Sequence, residues 1–190
     1  MSRKTDLRVI KTQNAIHEAF LKLMNTKGLS AMTVQDILDE ALINRKTFYT
    51  YYRSKYDLAE QTAAEFLQRF DAILAERFPD GDFARSWTFP AEEIYSELLR
   101  YRNEFLAVLD IRTDRINVQK ELKGRLQKVY RDLAGRCGAP GDRELQSYLF
   151  SSLVLTSYRH IMAEDRTYET HQLLNEFQQI SKVIAETAAS

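Results

Sequence analysis

The fold of this chain is decided by residues 33–58, which read TVQDILDEALINRKTFYTYYRSKYDL. Thr33 is a favourable N-cap, and Asp36 three residues later makes an aspartate variant of the capping box that opens a helix. After a short break, Asn44 is a second favourable N-cap. Two short helices separated by about three residues form a helix-turn-helix.

The second of these helices, predicted over about 45–52, has two chemically different faces. Phe48 and Tyr52 are four residues apart and predict the inward face, with Ile43 before them on the same side. Residues 44–55 contain four basic side chains and no acidic one. Arginine and lysine near the start of such a helix can donate to guanine N7 and O6 in the major groove, and hydroxyl groups can bind phosphates. The pattern therefore predicts a DNA-reading helix, with a small basic helical hairpin as the alternative.

Helical periodicity extends on both sides of this stretch. Ile16, Phe20 and Leu23 predict a first helix over about 5–26, which Gly28 ends. The segment PDGDFARSWTFP (residues 79–90) predicts a linker, and CGAPGD (residues 137–142) predicts a turn. Further helices are predicted over about 55–78, 90–109, 113 or 114–133, 143–163 and 168–188. We therefore expect an all-α protein of eight or nine helices, with residues 1–54 as the DNA-binding domain and residues 55–190 as a regulatory and dimerising body.

Charge is divided unevenly along a chain whose formal net charge is zero. Residues 1–56 contain ten Lys and Arg against five Asp and Glu, whereas the remainder contains 17 against 22. A basic head on an acidic body suits binding of a polyanion by the head alone. The N-terminus has no apolar signal-peptide core, and the longest apolar stretch, 148–158, is shorter than the roughly 20 residues of a membrane span. These features predict a soluble cytoplasmic protein.

Other chemistries find little support in the sequence. There is no phosphate-binding glycine loop and no nucleophile elbow, so we expect no enzyme activity and no cofactor. His160 and Glu164 are four residues apart, but with His171 they match no strong metal-binding spacing, and we expect no metal. Cys137 is the sole cysteine, which excludes an intramolecular disulfide; a redox-sensing thiol is the alternative to an inert one.

The segment from the first helix to Leu58 resembles the DNA-binding head of TetR-family repressors. The matching positions are Ala15, Phe20, Gly28, Thr33, Val34, Ile37, Ala41 and the run TFYTYYRSKYDL from Thr47. The resemblance covers about residues 8–60 at the level of motifs. One departure lies in the turn between the two helices, where the family usually has glycine and this chain has Leu42. If that turn requires a positive φ, leucine adopts it at a steric cost that glycine avoids.

The resemblance implies a sequence-specific DNA-binding transcriptional regulator, a homodimeric repressor controlled by a small-molecule effector. Carried over by position, it implies phosphate binding by Thr33 and Lys55 at helix N-termini, and base contacts by Arg45 and Lys46. Thr47, Tyr49 and Tyr51 would contact the DNA backbone, with base contacts from Tyr49 as a further option. Asn44 is also assigned to the DNA-binding residues. The alternative from a different class is a helical adaptor whose basic head binds an acidic protein partner.

Two further expectations concern the body. Its aromatic residues predict a small-molecule pocket lined by Trp87, Tyr95, Tyr101, Phe105, Tyr130 and Tyr158, with simple core packing as the alternative. Apolar stripes on the last two helices predict a homodimer interface, with inward packing as the alternative. The residues assigned to that interface are Leu145, Leu149, Ser152, Leu153, Thr156, Leu173, Phe177 and Ile180.

Overall fold

A computed structural model of the chain describes residues 2–77, 100–136, 138, 140–164, 172, 175–176, 178–180 and 182. Within these residues the helices are α1 (Ser2–Thr26), α2 (Gly28–Ala31), α3 (Val34–Ala41), α4 (Arg45–Tyr51), α5 (Lys55–Arg77), α6 (Arg102–Leu109), α7 (Val118–Arg136) and α8 (Arg143–Glu164). The described residues form no strand, and their one β-type pairing is an isolated antiparallel bridge between Arg112 and Asn117. The predicted all-α class is confirmed.

The chain divides into two compact units. The first unit comprises Met1–Ala72 and Arg102–Leu126, and the second comprises Ile73–Tyr101 and Gln127–Ser190. In the first unit α1 packs against α3 and α6. The predicted inward residues Ile16, Phe20 and Phe48 are fully buried there, because their helical spacing puts each on the face turned to the neighbouring helices.

Polar contacts tie α5 to the elements that follow it within the first unit. The Glu60 carboxylate accepts a hydrogen bond of 2.9 Å from the Thr113 hydroxyl. Farther along α5, Asp71 accepts two hydrogen bonds, of 2.7 and 3.0 Å, from the Arg125 guanidinium. The ring of Phe66 lies 6.2 Å from that of Phe105, which is 2% exposed. Residues 102–126 therefore pack against α1 and against the part of α5 that belongs to the first unit.

Several helix boundaries differ from the sequence expectation. The helix expected over about 90–109 is interrupted by a turn at Tyr101, and α6 begins at Arg102. The helix expected to start at Thr113 or Asp114 starts at Val118 instead. The Thr113 hydroxyl accepts hydrogen bonds of 3.2 Å from the backbone N–H groups of Arg115 and Ile116, so Thr113 stabilises a turn before the helix. Asn117 is the actual N-cap, since its side-chain oxygen accepts from the Lys120 backbone N–H at 3.1 Å. The four-residue α2 was also not predicted.

Helix α8 in the second unit begins at the turn that the sequence predicts. Asp142 accepts hydrogen bonds from the backbone N–H groups of Glu144 and Leu145 at 3.0 and 3.1 Å, which caps the helix. The predicted linker of residues 79–90 lies outside the described residues. The predicted last helix lies mostly outside them, and the residues described there are helical. No helix in the described ranges combines the length and apolarity that crossing a membrane requires.

Candidate nucleic-acid interface

Helix α4 buries aromatic side chains on one side and exposes basic and aromatic side chains on the other. Phe48 is fully buried and Tyr52 is 8% exposed, and their ring centroids lie 5.6 Å apart. Arg45 and Lys46 are exposed at the beginning of the helix, and Tyr49 is 48% exposed and packs edge-on against Phe48 at 5.4 Å. The inward face that the spacing predicted is confirmed. The aromatic packing anchors the helix whose exposed side carries Arg45 and Lys46.

The beginning of α4 is organised by Asn44 and Thr47. The Asn44 side-chain oxygen accepts a hydrogen bond from the Thr47 backbone N–H at 2.8 Å and from the Thr47 hydroxyl at 2.9 Å. This is N-capping geometry, and Asn44 has the extended backbone of an N-cap with φ −85° and ψ 160°. Asn44 and Thr47 therefore shape the end of the helix that displays Arg45 and Lys46.

The turn between α3 and α4 does require a positive φ. Leu42 has φ 53° and ψ 43°, the left-handed conformation that ends α3, and its side chain is 92% exposed. Among the described residues it is the sole non-glycine residue with positive φ. Leucine adopts here a conformation that glycine adopts at lower steric cost.

The predicted capping box at the beginning of α3 is present. The Asp36 backbone N–H donates to the Thr33 hydroxyl oxygen at 3.1 Å, and the Thr33 backbone N–H donates to the Asp36 carboxylate at 2.8 Å. Lys27 donates to the same carboxylate at 2.7 Å. The Lys27 ammonium, together with the Thr33 N–H and hydroxyl, lowers the pKa of Asp36 from 3.8 to about 2. Thr33, an expected phosphate ligand, thus has its own partners within the head.

Lys55 occupies an arrangement that the sequence did not indicate. Its ammonium donates to the carbonyl oxygens of Leu29, Ser30 and Met32 at 2.8, 3.2 and 2.6 Å. These carbonyls belong to the end of α2 and the residue after it, where a cation also complements the helix dipole. An ammonium has three N–H donors, so the three carbonyls account for all of them. In this structure the Lys55 side chain joins the beginning of α5 to the segment before Thr33.

A side chain that sequence reasoning missed lies beside Arg45. The Arg45 guanidinium donates to the Gln35 side-chain oxygen at 3.3 Å, and the Gln35 amide donates to Asp39 at 2.8 Å. The possible signal was the spacing of Gln35 and Asp39, which puts both on one face of α3. That spacing does not by itself reveal the contact with α4.

The expected pocket residues are distributed over both units and the residues that the structure does not describe. Trp87 and Tyr95 lie outside the described residues. Phe105 belongs to the core of the first unit, whereas Tyr101, Tyr130 and Tyr158 belong to the second. Tyr130 donates to the Gln146 side-chain oxygen at 3.1 Å and its ring lies 5.1 Å from that of Phe150.

The expected interface residues on α8 share an exposed face. Leu145, Leu149 and Leu153 are 55%, 56% and 46% exposed. Thr156 is exposed and Ser152 is half-buried on the same side. Ile180 is 54% exposed, while Leu173 and Phe177 lie outside the described residues. Ser147 and Ser151 on the opposite side of α8 are fully buried.

The described side chains contain no cluster of three or more His, Cys, Asp or Glu that could hold a metal ion. Cys137 and His171 lie outside the described residues.

Comparisons with known proteins agree with this geometry. The family model for bacterial regulatory proteins of the tetR family matches residues 16–62. An uncharacterized HTH-type transcriptional regulator, YxbF of Bacillus subtilis (strain 168), is 34% identical over 59 residues. That match covers 30% of this chain and 16% of the relative's own length.

Two solved structures are similar over most of the chain. A regulatory protein TetR from Rhodobacter sphaeroides aligns with a TM-score of 0.63 at 21% identity, covering 87% of this chain and 96% of its own. A Clostridium perfringens putative fatty acid metabolism regulator aligns with a TM-score of 0.67 at 15% identity, covering 86% and 94%. At these identities the likeness concerns the fold.

Proposed function

We propose that this chain, whose residues 16–62 match the tetR-family model, is a helix-turn-helix transcriptional regulator that binds a specific sequence of duplex DNA. The observation that carries the proposal is the exposed surface of α4, where Arg45 and Lys46 stand at the beginning of a helix anchored by Phe48. In a helix-turn-helix this is the part of the second helix that reaches base edges in the major groove.

The position of each expected DNA-binding residue in the helix-turn-helix suggests its role. Arg45 and Lys46 read bases, and Tyr49 and Tyr51 bind phosphates. Thr33, Asn44 and Thr47 shape the ends of α3 and α4 that approach the backbone, with their own groups already engaged inside the head. The contacts of Lys55 lead us to revise its expected role from phosphate ligand to a clamp between α5 and the segment before α3.

The test is selection of bound sequences from randomised duplex DNA, followed by affinity measurements at several salt concentrations. We expect an enriched motif and an affinity that falls steeply with salt. Arg45→Ala or Lys46→Ala should reduce discrimination at particular base pairs by about 1–3 kcal/mol. Salt-independent binding, or no enriched motif, would contradict the proposal and favour the protein adaptor.

We also propose that the protein acts as a homodimer through the exposed face of α8 and the helical segment around Ile180. Two heads on a pseudo-palindrome supply the specificity that one helix-turn-helix lacks, with half-sites about 34–36 Å apart or a multiple of that spacing. The exposed leucines of α8 support this choice, since an apolar stripe on a helix whose other side is also packed is typical of an interface.

The proposed regulation is repression by operator occupancy, with residues 1–54 contacting DNA and residues 55–190 binding a small molecule and the second subunit. A ligand that prefers one arrangement of the two heads would change operator affinity. The support is the match of residues 16–62 to the tetR-family model and the aromatic content of the second unit. A reporter placed behind the selected operator should fall in expression when the protein is present. A rise in reporter expression when the protein is present would instead indicate an activator. A small molecule that raises the thermal stability of the protein should also change its affinity for the operator.

A further inference from the structure

Three exposed side chains form a chain of hydrogen bonds from α3 to the first residue of α4. Asp39 accepts from the Gln35 side-chain amide at 2.8 Å, and Gln35 accepts from the Arg45 guanidinium at 3.3 Å. Gln35 and Asp39 are four residues apart on one face of α3. Arg45 begins the helix that we propose reads DNA.

The chemistry of the three groups gives this series of hydrogen bonds a direction. A carboxylate only accepts hydrogen bonds, so Asp39 requires the Gln35 amide to turn its NH2 group towards it. The amide oxygen then faces the other way, towards a guanidinium that can only donate. Asp39 therefore orients Gln35, and Gln35 orients Arg45.

The other acidic side chains of α3 have different partners. Asp36 binds Lys27 at 2.7 Å, and Glu40 binds Lys22 of α1 at the same distance. Of these three acids, Asp39 alone binds a residue that contacts α4 in the structure. The head thus contains one pair that acts on Arg45 and comparable pairs that do not.

We infer that Gln35 and Asp39 are positioning residues that determine how strictly Arg45 discriminates among bases, an inference that rests on the proposed function. Arginine reads guanine through two parallel hydrogen bonds, which require the guanidinium plane to be fixed. The bond to Gln35 uses one of the five N–H donors and leaves enough for such a pair. Because the side chain is held before DNA binds, less conformational freedom is lost in the complex.

The experiment uses the full chain and the DNA motif selected by the wild-type protein. Affinities for that motif and for each single base-pair substitution are measured for the wild type and for Arg45→Ala, which defines the base pairs that Arg45 reads. Gln35→Met is the main variant, since methionine keeps the length and helix propensity of glutamine without its amide. Asp39→Ala removes the group that orients the amide.

We expect Gln35→Met to reduce discrimination by about threefold to tenfold at the base pairs that Arg45 reads, as part of the effect of a full arginine–guanine contact. Asp39→Ala should act at the same base pairs with a smaller change. In an Arg45→Ala background Gln35→Met should have no further effect, since it acts through Arg45. The dependence of affinity on salt should match the wild type, because no phosphate contact is lost.

Glu40→Ala is the matched control, because it removes an acidic partner from the same helix without touching Arg45. It should leave the motif unchanged. Unchanged discrimination in Gln35→Met would overturn the inference, and so would an effect at other base pairs that adds to that of Arg45→Ala, since Gln35 would then read DNA itself. If the wild type selects no motif, the proposed function fails and the inference fails with it; a wild-type motif with an inert Gln35→Met refutes the inference alone.

Discussion

Helices α4 and α8 differ in the side chains that they expose to solvent. In α4 the aromatic ring of Phe48 is buried and the cations of Arg45 and Lys46 face outward, as in any water-exposed helix. In α8 the side chains of Ser147 and Ser151 are buried while Leu149 and its neighbours are exposed. The charged surface of α4 is compatible with water without a partner, and only its positive charge indicates a binding site. The exposed surface of α8 gains stability only when a partner covers it.

The largest effect is expected from a charge on the exposed face of α8. Leu149→Glu should dissociate the proposed dimer, because a carboxylate buried in an apolar interface without a partner carries a large desolvation cost. Operator affinity should fall by about 100-fold or more, since two linked heads bind more tightly than one by that order. Sedimentation and DNA titration measure the two results.

Lys128→Gln is the control, since it changes the net charge by the same amount at an exposed position of α7. It should leave both mass and affinity unaltered. A folded Leu149→Glu protein that remains dimeric would show that α8 is not the interface. The exposed leucines of α8 would then not mark a binding surface.

The difference between the two helices also explains what the sequence could predict. The inward face of α4 was predictable because Phe48 and Tyr52 contrast with charged neighbours at helical spacing. The capping box of Thr33 and Asp36 was predictable because its partners are three residues apart. On α8, apolar residues occur all round the helix, so periodicity alone left interface and core as open alternatives.

The features that were missed depend on contacts distant in sequence or on short segments. The carbonyl partners of Lys55 precede it by 23 to 26 residues, and no local pattern encodes that approach. Helix α2 has four residues, too few to show a period. Thr113 carries the signal of a helix cap, but its hydroxyl closes a turn instead, since Ser and Thr side chains serve both structures. The packing of α1 against α6 likewise joins residues far apart, as in the bond from the Asn25 amide to the Asn103 carbonyl.

A second prediction separates two lysines of the head. Lys46→Ala should weaken DNA binding with little change in stability, because Lys46 is exposed. Lys55→Ala should lower the free energy of unfolding by about 1.5–3 kcal/mol, the range for hydrogen bonds to a charged group, and leave the salt slope of DNA binding near that of the wild type. Urea unfolding and salt-dependent DNA titration measure the two quantities.

Lys55→Arg is the informative companion, since it keeps the charge but replaces the compact ammonium with a planar guanidinium that fits three converging carbonyls poorly. It should recover only part of the lost stability. A Lys55→Ala protein that is as stable as the wild type, with a salt slope about one unit smaller, would instead restore the phosphate contact first expected from the motif.

A third and smaller effect concerns the turn that aims α4. Leu42→Gly should raise the free energy of unfolding by about 0.5–1 kcal/mol, because glycine relieves the strain at φ 53° and this gain exceeds its greater freedom in the unfolded chain. Leu42→Ala keeps the Cβ atom and the strain, and since the leucine is 92% exposed it should change stability little. A glycine variant less stable than the alanine variant would mean that the left-handed conformation is not strained here, since only the greater freedom of glycine in the unfolded chain would then remain.

The smallest effect is electrostatic and lies at the beginning of α3. The pKa of Asp36 is about 2, below its ordinary 3.8, chiefly because the Lys27 ammonium donates to its carboxylate. A group whose pKa is lowered on folding stabilises the folded state above its unfolded pKa, so this contribution is complete above pH 3.8 and is lost as the pH falls through about 2.

A carboxyl-detected NMR titration of the wild type should give a pKa of Asp36 well below 3.8. Lys27→Ala should raise the pKa of Asp36 towards 3.8, while Lys22→Ala should leave it unchanged, because Lys22 binds Glu40 instead. If Lys27→Ala left the pKa of Asp36 at about 2, the Thr33 cap by itself would hold the carboxylate, and Lys27 would contribute nothing to the end of α3 that faces the proposed DNA backbone.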